Sequence, residues 1–370
     1  MPPISVMMKP ASGNCNMKCD YCFYCDEQEK REQMSYGFMN ENTLKNIIRK
    51  CVLHADGARH LAFQGGEPTL AGVDFFRKAV EFVNHYNRKN IRIQYAFQTN
   101  GTNITEEWCR FFKENHFLVG VSLDGTKEIH NSLRRYKNGE FTYDKILDTC
   151  KMMDEYQVEY NILTVVHREI AENIREVYRY YKQQGWNYQQ YIACMDPLYE
   201  EHGLNPYSLT SDMYGKFLSE LFECWYKDYR RGKQPYIRQF ENYIGILLGL
   251  PPESCEQQGR CGIQYVVEAD GSAYPCDFYM LDEYCLGNFN EHTIDYMDEQ
   301  RKKIHFQEVS MRFSKECKSC PYIQLCRNGC QRNRVEQADG TYKNYFCDAY
   351  RFFFDRHYSQ LLEISKDLRK

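Results

Sequence analysis

Short apolar runs alternate with amphipathic stretches over the first two-thirds of the chain. ISVMMKP (4–10), HLAFQ (60–64), IRIQYAFQ (91–98), FLVGVSL (117–123), EYNILTVV (159–166) and YQQYIAC (188–194) predict six strands. Between them TLKNIIRKCVLH (43–54), FFRKAVEFVNHY (75–86) and FTYDKILDTCKMM (141–153) repeat apolar residues every three or four positions, the period of a helix. Such alternation predicts parallel strands joined by helical crossovers, hence an α/β barrel or doubly wound sheet. A longer helical pattern over 211–230 closes the series. From about Tyr236 the pattern changes to short strand candidates (QYVVEAD, SAYPCDF), a cysteine-rich loop and a final aromatic helix-like segment over 345–370. A length of 370 residues exceeds one typical domain, so two units are expected, 1–235 and 236–370.

The residues that follow each strand carry more information than the strands. The first strand runs into ASGNCNMKCDYC, the second into GGEP (65–68), the third into TNGT (99–102), the fourth into DGT (124–126) and the sixth into MDP (195–197). All are turn-forming and would serve simply to reverse the chain. In parallel α/β folds, however, the loops after the strand C-termini gather on one face, where the active site lies.

Composition narrows the classes of function. The 47 basic and 51 acidic residues are mixed along the chain, with no basic block to track phosphates, so no nucleic-acid partner is expected. The longest apolar stretch, YIGILLGL (243–250), is well short of the ~18 residues of a membrane span, and MPPISVMMKP lacks the apolar core of a signal peptide. A soluble cytoplasmic protein acting on small molecules or peptides is expected, with no membrane partner. In that compartment the 18 cysteines should be reduced, and clustered ones point to metal or redox chemistry. Cys51, Cys109, Cys150, Cys194 and Cys224 are scattered singly and read as small buried apolar residues.

Cys15, Cys19 and Cys22 form C-x3-C-x2-C. Three thiols are too few for a closed zinc site and do not pair as disulfides, but they can hold three irons of a cubane cluster and leave the fourth open; a zinc half-site is the alternative. With aromatic Tyr21 before the third cysteine, placed after the first strand of a βα series, the motif resembles the signature of the radical S-adenosylmethionine (SAM) superfamily. That resemblance implies a partial (β/α)6 TIM-like barrel. It also implies a [4Fe-4S] cluster whose open iron binds SAM and reduces it to methionine and a 5′-deoxyadenosyl radical. Alone, GGEP is an ordinary Gly-Pro turn; within the resemblance, Gly65, Gly66 and Glu67 match the second motif of the family, with Glu67 free to accept from the SAM ammonium. Ser122 and Arg134 would contact ribose and carboxylate, although a solvated surface role also suits Arg134. Met195 would pack on adenine, and core packing accounts for it equally well.

The C-terminal region reads Cys255-x5-Cys261-x9-Gly271-x4-Cys276 and then Cys317-x2-Cys320-x5-Cys326-x3-Cys330-x16-Cys347. Eight thiolates make two sets of four, which zinc would accept as readily as iron. The spacings resemble the SPASM module, a small auxiliary-cluster domain of radical SAM enzymes that modify peptides. By that resemblance one cluster takes Cys255, Cys261, Cys276 and Cys330 and the other Cys317, Cys320, Cys326 and Cys347, giving three [4Fe-4S] clusters in all; Cys25 and Cys285 are read as non-ligands.

GIQYVVEADGSAYPCDFY (262–279), with CNMKCDYCFYC at the front, is similar to the anaerobic sulfatase-maturating enzymes, which oxidise a cysteine or serine of a sulfatase to Cα-formylglycine. The resemblance implies hydrogen abstraction from the target Cβ, proton removal by Asp277 and electron transfer to an auxiliary cluster. The implied partners are a sulfatase polypeptide and an electron donor such as ferredoxin or flavodoxin. Asp277 would otherwise be a solvated turn carboxylate. At an ordinary pKa of ~3.9 against ~8.5 for a thiol, it is a weak base for this task, so its surroundings matter. Two alternatives remain at this point: a SPASM enzyme that crosslinks a ribosomal peptide, although only fourteen residues precede Cys15, and a zinc-binding adaptor without catalysis.

Overall fold

The computed structural model describes residues 4–54 and 59–369. Ten strands carry the fold: β1 (Ile4–Met8), β2 (Arg59–Phe63), β3 (Ile93–Thr99), β4 (Phe117–Ser122), β5 (Glu159–Val166), β6 (Tyr188–Ala193), β7 (Tyr236–Ile237), β8 (Tyr265–Val267), β9 (Ser272–Tyr274) and β10 (Gly287–Asn288). The first six are those the apolar runs predict. They are assigned to two compact units. One takes the described residues to Leu123, His130–Asn161 and Ile263–Ile304; the other takes Asp124–Ile129, Ile162–Gly262 and His305 onward.

In the first unit the strand order is β10-β9-β8-β1-β2-β3-β4. Strands β1 to β4 are parallel, in the register Val6↔Leu61, Phe63↔Phe97 and Phe97↔Val119. Helices Glu41–His54, Val73–Tyr86 and Glu106–Glu114 supply the crossovers. They are helical because their apolar residues share one face: in Val73–Tyr86, Phe76, Ala79 and Val83 are buried. Strand β1 alternates in the period of a strand, burying Ile4, Val6 and Met8. β8 also joins β1 in parallel, Val6 opposite Tyr265 and Met8 opposite Val267, and turns back through the antiparallel β9 and β10. This hairpin, about 260 residues downstream in sequence, therefore packs with the front strands.

The core of this unit is aromatic. Phe97 is 1% exposed, and its ring lies 5.0 Å from Phe76, 5.5 Å from Trp108 and 5.0 Å from Phe112 in tilted or edge-on geometry.

In the second unit β5, β6 and β7 are parallel, with Ile162 opposite Gln189 and Tyr188 opposite Tyr236. The helix Ser211–Tyr229 packs against the last helix, Cys347–Asp367, through Tyr214 on Tyr350 and Phe222 on Phe353. Gly215 permits their approach: a Cβ there would stand 3.2 Å from the Ala349 Cα. Among the described residues no helix is long and apolar enough to cross a membrane.

Because Phe97 touches three other aromatic side chains and lies on a central strand, Phe97→Ala should destabilise the protein by about 3–5 kcal/mol. Anaerobic urea unfolding followed by fluorescence would measure it; a loss below about 1 kcal/mol would show that the cluster repacks.

Candidate functional site

Three strand-end loops of the first unit knit together around the cysteine loop. After β1 the chain turns twice, with Ser12 N–H donating to the Lys9 carbonyl and Asn14 N–H to that of Ala11. The loop after β2 lies directly against it. Glu67 N–H donates to the Asn14 carbonyl at 2.8 Å, and Gly66, at φ +56°, is so close that a Cβ would stand 2.2 Å from the same oxygen. Gly65, at φ +94°, faces Lys9, whose Cδ would be 2.1 Å from an added Cβ. What both glycines admit here is other parts of the chain.

Glu67 departs from expectation. It is not free: its carboxylate is fully buried, Oε1 accepting from Thr69 N–H (3.0 Å), Thr69 Oγ1 (2.7 Å) and Thr99 Oγ1 (2.8 Å), and Oε2 from Asn100 N–H (2.7 Å). Burial pushes its pKa up and these donors pull it back. A carboxylate has about four lone-pair sites, so what remains for a ligand lies on Oε2. Asn100 extends the network: its side-chain amide donates to Asn16 at 2.8 Å and stands 3.7 Å from Cys15 Sγ.

Cys15, Cys19 and Cys22 are all partly exposed. Met17 N–H donates to Cys15 Sγ at 3.4 Å, and burial pushes that thiol up to about 11; the neighbouring Cys25 thiol, by hydrogen bonding, draws Cys22 down to about 6. Cys19 ends a three-residue strand, Met17–Cys19, paired with Arg134–Tyr136 so that Cys19 is opposite Arg134. This brings Arg134 Nη1 within 4.0 Å of Cys19 Sγ and its Cζ within 5.4 Å of the centre of the Tyr21 ring. Arg134 is 7% exposed, which excludes a solvated surface role. Ser122 is buried at the end of β4. Met195, half-buried, belongs to the second unit.

Asp277 is no solvated turn residue. It is 7% exposed, ion-paired with the fully buried Lys9, and accepts a hydrogen bond from the Gln64 side-chain amide. The strand pairing makes this possible. Lys9 and Gln64 follow directly on β1 and β2, with Lys9 N–H donating to the Val267 carbonyl and Gln64 N–H to that of Met8. Neither was singled out from the sequence. The available signal was a lysine and a glutamine each closing an apolar strand where parallel folds place active-site groups.

In the second unit Cys317, Cys320, Cys326 and Cys347 line one cavity of about 20 Å³, together with Arg351. Ser314 Oγ lies 3.3 Å from Cys317 Sγ, and burial pushes the Cys326 thiol up to about 12. Cys330 is raised by burial and by the nearby Cys255 and Cys261. Cys276, the fourth cysteine of that set, lies in the first unit beside Asp277. Among the described residues no three His, Cys, Asp or Glu side chains converge on a single-ion position; the ligands of a cubane attach to separate irons and need not do so.

Comparison with known proteins supplies the context. The model of the radical SAM superfamily matches residues 10–181, and that of the SPASM iron-sulfur cluster-binding domain matches 255–321. The chain is 43% identical over 369 residues to the cysteine-type anaerobic sulfatase-maturating enzyme of Clostridium novyi, covering all of this chain and 99% of the relative. It is 31% identical over 371 residues to the serine-type enzyme of Klebsiella aerogenes, covering 99% and 88%. The solved structure of anSMEcpe with bound AdoMet and Cp18Cys peptide superposes with a TM-score of 0.93 at 42% identity, covering 99% of this chain and 100% of that one.

Glu67→Ala would strand the amides of Thr69 and Asn100 and two threonine hydroxyls in the interior. It should lower stability by about 3 kcal/mol or more, at roughly 1–3 kcal/mol for each buried group left unsatisfied. Glu67→Gln, which keeps the acceptor Oε1, should lose less; equal unfolding midpoints for both variants would refute a structural role of the carboxylate.

Proposed function

Since the chain belongs to the anaerobic sulfatase-maturating enzymes, radical SAM proteins with a SPASM domain, we propose that Asp277 is its general base and that its target residue is a cysteine. The protein is a radical SAM oxidoreductase that forms Cα-formylglycine on a sulfatase polypeptide, using SAM and iron-sulfur clusters. When bound, these groups would supply the 5′-deoxyadenosyl radical that takes a hydrogen atom, with its electron, from the target Cβ, and a sink for the second electron, which the substrate radical gives up as its thiol loses a proton.

The chain's own residues handle binding and the proton. Cys15, Cys19 and Cys22 would hold the first cluster, and the two sets of four cysteines two more, with 1–235 as the proposed radical SAM domain and 236–370 as the proposed auxiliary-cluster domain. The donor chemistry fits. Beside the thiols stand the buried Arg134 guanidinium and Glu67 carboxylate, opposite charges for the carboxylate and ammonium of an amino-acid ligand. Gly65, Gly66, Tyr21 and Ser122, all of the first unit, complete the proposed SAM site.

The observation that carries the reading is the setting of Asp277: next to a cluster ligand in sequence, buried, and oriented on both oxygens by Lys9 and Gln64. The target thiol proton passes to Asp277, and the carbon–sulfur double bond that remains is opened by water to the aldehyde with release of sulfide. A cysteine target agrees with the higher identity to the cysteine-type relative and with the greater acidity of a thiol. A cytoplasmic location, where thiols stay reduced, and an acidic electron carrier such as ferredoxin or flavodoxin complete the proposal.

Anaerobically reconstituted protein given SAM, reductant and a sulfatase-derived peptide should convert the cysteine peptide faster than its serine counterpart. Asp277→Asn should lower formylglycine by ~10² or more while 5′-deoxyadenosine is still formed. Product at the wild-type rate would place the base elsewhere. The protein should contain on the order of twelve irons, and the triple variant Cys15→Ala, Cys19→Ala, Cys22→Ala about eight. 5′-Deoxyadenosine from that variant would show that the front loop is not the SAM site.

A further inference from the structure

Around Asp277 the first unit buries a second ion pair that the reaction as described leaves without a task. Glu268, fully buried, immediately follows β8 and lies nine residues before Asp277. Its carboxylate accepts from the Tyr24 hydroxyl at 2.8 and 3.1 Å, from Ser12 Oγ at 3.2 Å and from Ala269 N–H at 3.3 Å, and pairs with Arg31 Nη1 at 3.3 Å. Neither side chain of the Glu268–Arg31 pair is exposed at all.

Tyr24 links the two pairs. It sits in the helix Phe23–Glu29, directly after Cys22, and is 4% exposed. Its ring is faced by two cations, Lys9 Nζ at 4.3 Å and Arg31 Cζ at 5.4 Å from the centroid. A lysine ammonium on a four-carbon stem has little direction of its own, and an aromatic face is one of the few things that can give it one in a dry interior. Each buried carboxylate has its own cation, Lys9 for Asp277 and Arg31 for Glu268, and the Tyr24 ring lies against both cations.

We propose that Glu268 is a positioning residue for the oxidation step: by anchoring the Tyr24 phenol it fixes the ring face that holds the Lys9 ammonium on the Asp277 carboxylate. This rests on Asp277 being the base. The same contacts tie the helix after the third front cysteine to the turn between β8 and β9, the hairpin that leads into Cys276 and Asp277, so that the radical-generating loop and the base share one buried anchor.

The test uses full-length reconstituted protein with SAM, dithionite and the cysteine peptide, and reads formylglycine formed per 5′-deoxyadenosine. Glu268→Ala and Tyr24→Phe should each lower that ratio about tenfold or more, the scale expected when a reacting group is slightly misplaced. Iron content and the KM for peptide should be unchanged, and Glu268→Gln, which keeps an acceptor for the phenol, should recover most of the ratio. A purely structural role would lower iron and both products together and leave the ratio intact. Should Glu268→Ala fail to retain iron, Tyr24→Phe decides, because it removes only the hydroxyl. A wild-type ratio in Tyr24→Phe, with the ratio collapsed in Asp277→Asn, overturns the positioning role alone. A wild-type ratio in Asp277→Asn overturns the base assignment and this role with it.

Discussion

The buried ion pair of Lys9 and Asp277 is the constraint around which the first unit is organised. Removing either partner would leave an uncompensated charge in the interior, a loss of about 3–5 kcal/mol, so the two must arrive together. They are 268 residues apart in sequence. What joins them is the parallel pairing of β8 with β1, which fixes the residue after β1 against the hairpin that leads into Cys276 and Asp277. The strand ladder thus does chemical work: the register Met8↔Val267 sets where the carboxylate can be.

Hydrogen bonding, more than apolar contact, sets the loops above the sheet. Glu67 gathers the loops after β2 and β3, Asn100 extends that network to the cysteine loop, and Glu268 holds the helix that follows Cys22. Each of these carboxylates is buried, an arrangement that is stable only when its lone pairs are met by donors. Rigid polar anchoring of this kind suits a radical SAM site, since small displacements at a reacting centre are costly in rate. The aromatic core below, centred on Phe97, supplies the stability that offsets the buried charge.

Much was legible in the sequence because it depends on local periodicity and fixed spacing. Apolar runs with the period of a strand, separated by helical patterns, predicted β1 to β6, and C-x3-C-x2-C with the later cysteine spacings pointed to iron-sulfur chemistry. In the sequence Asp277 is marked only by its bond to Cys276. Four of the C-terminal thiols, Cys317, Cys320, Cys326 and Cys347, come to one cavity because they lie on two short helices, the turn between them and the start of the last helix.

Tertiary structure alone decided what surrounds those residues. Lys9, Gln64, Tyr24 and Glu268 carry no motif: a lysine closing an apolar strand is ordinarily solvated, and a glutamate in the turn after a short strand ordinarily faces water. Nor could the sequence show that Glu67 is taken up by Thr69, Thr99 and Asn100, or that Gly65 and Gly66 make room for Lys9 and for the carbonyl of Asn14. The physical reason is the same in each case. Periodicity reports which face of an element is apolar, whereas the pairing of buried charges depends on which strands become neighbours, and the β1–β8 contact joins segments that no local pattern connects.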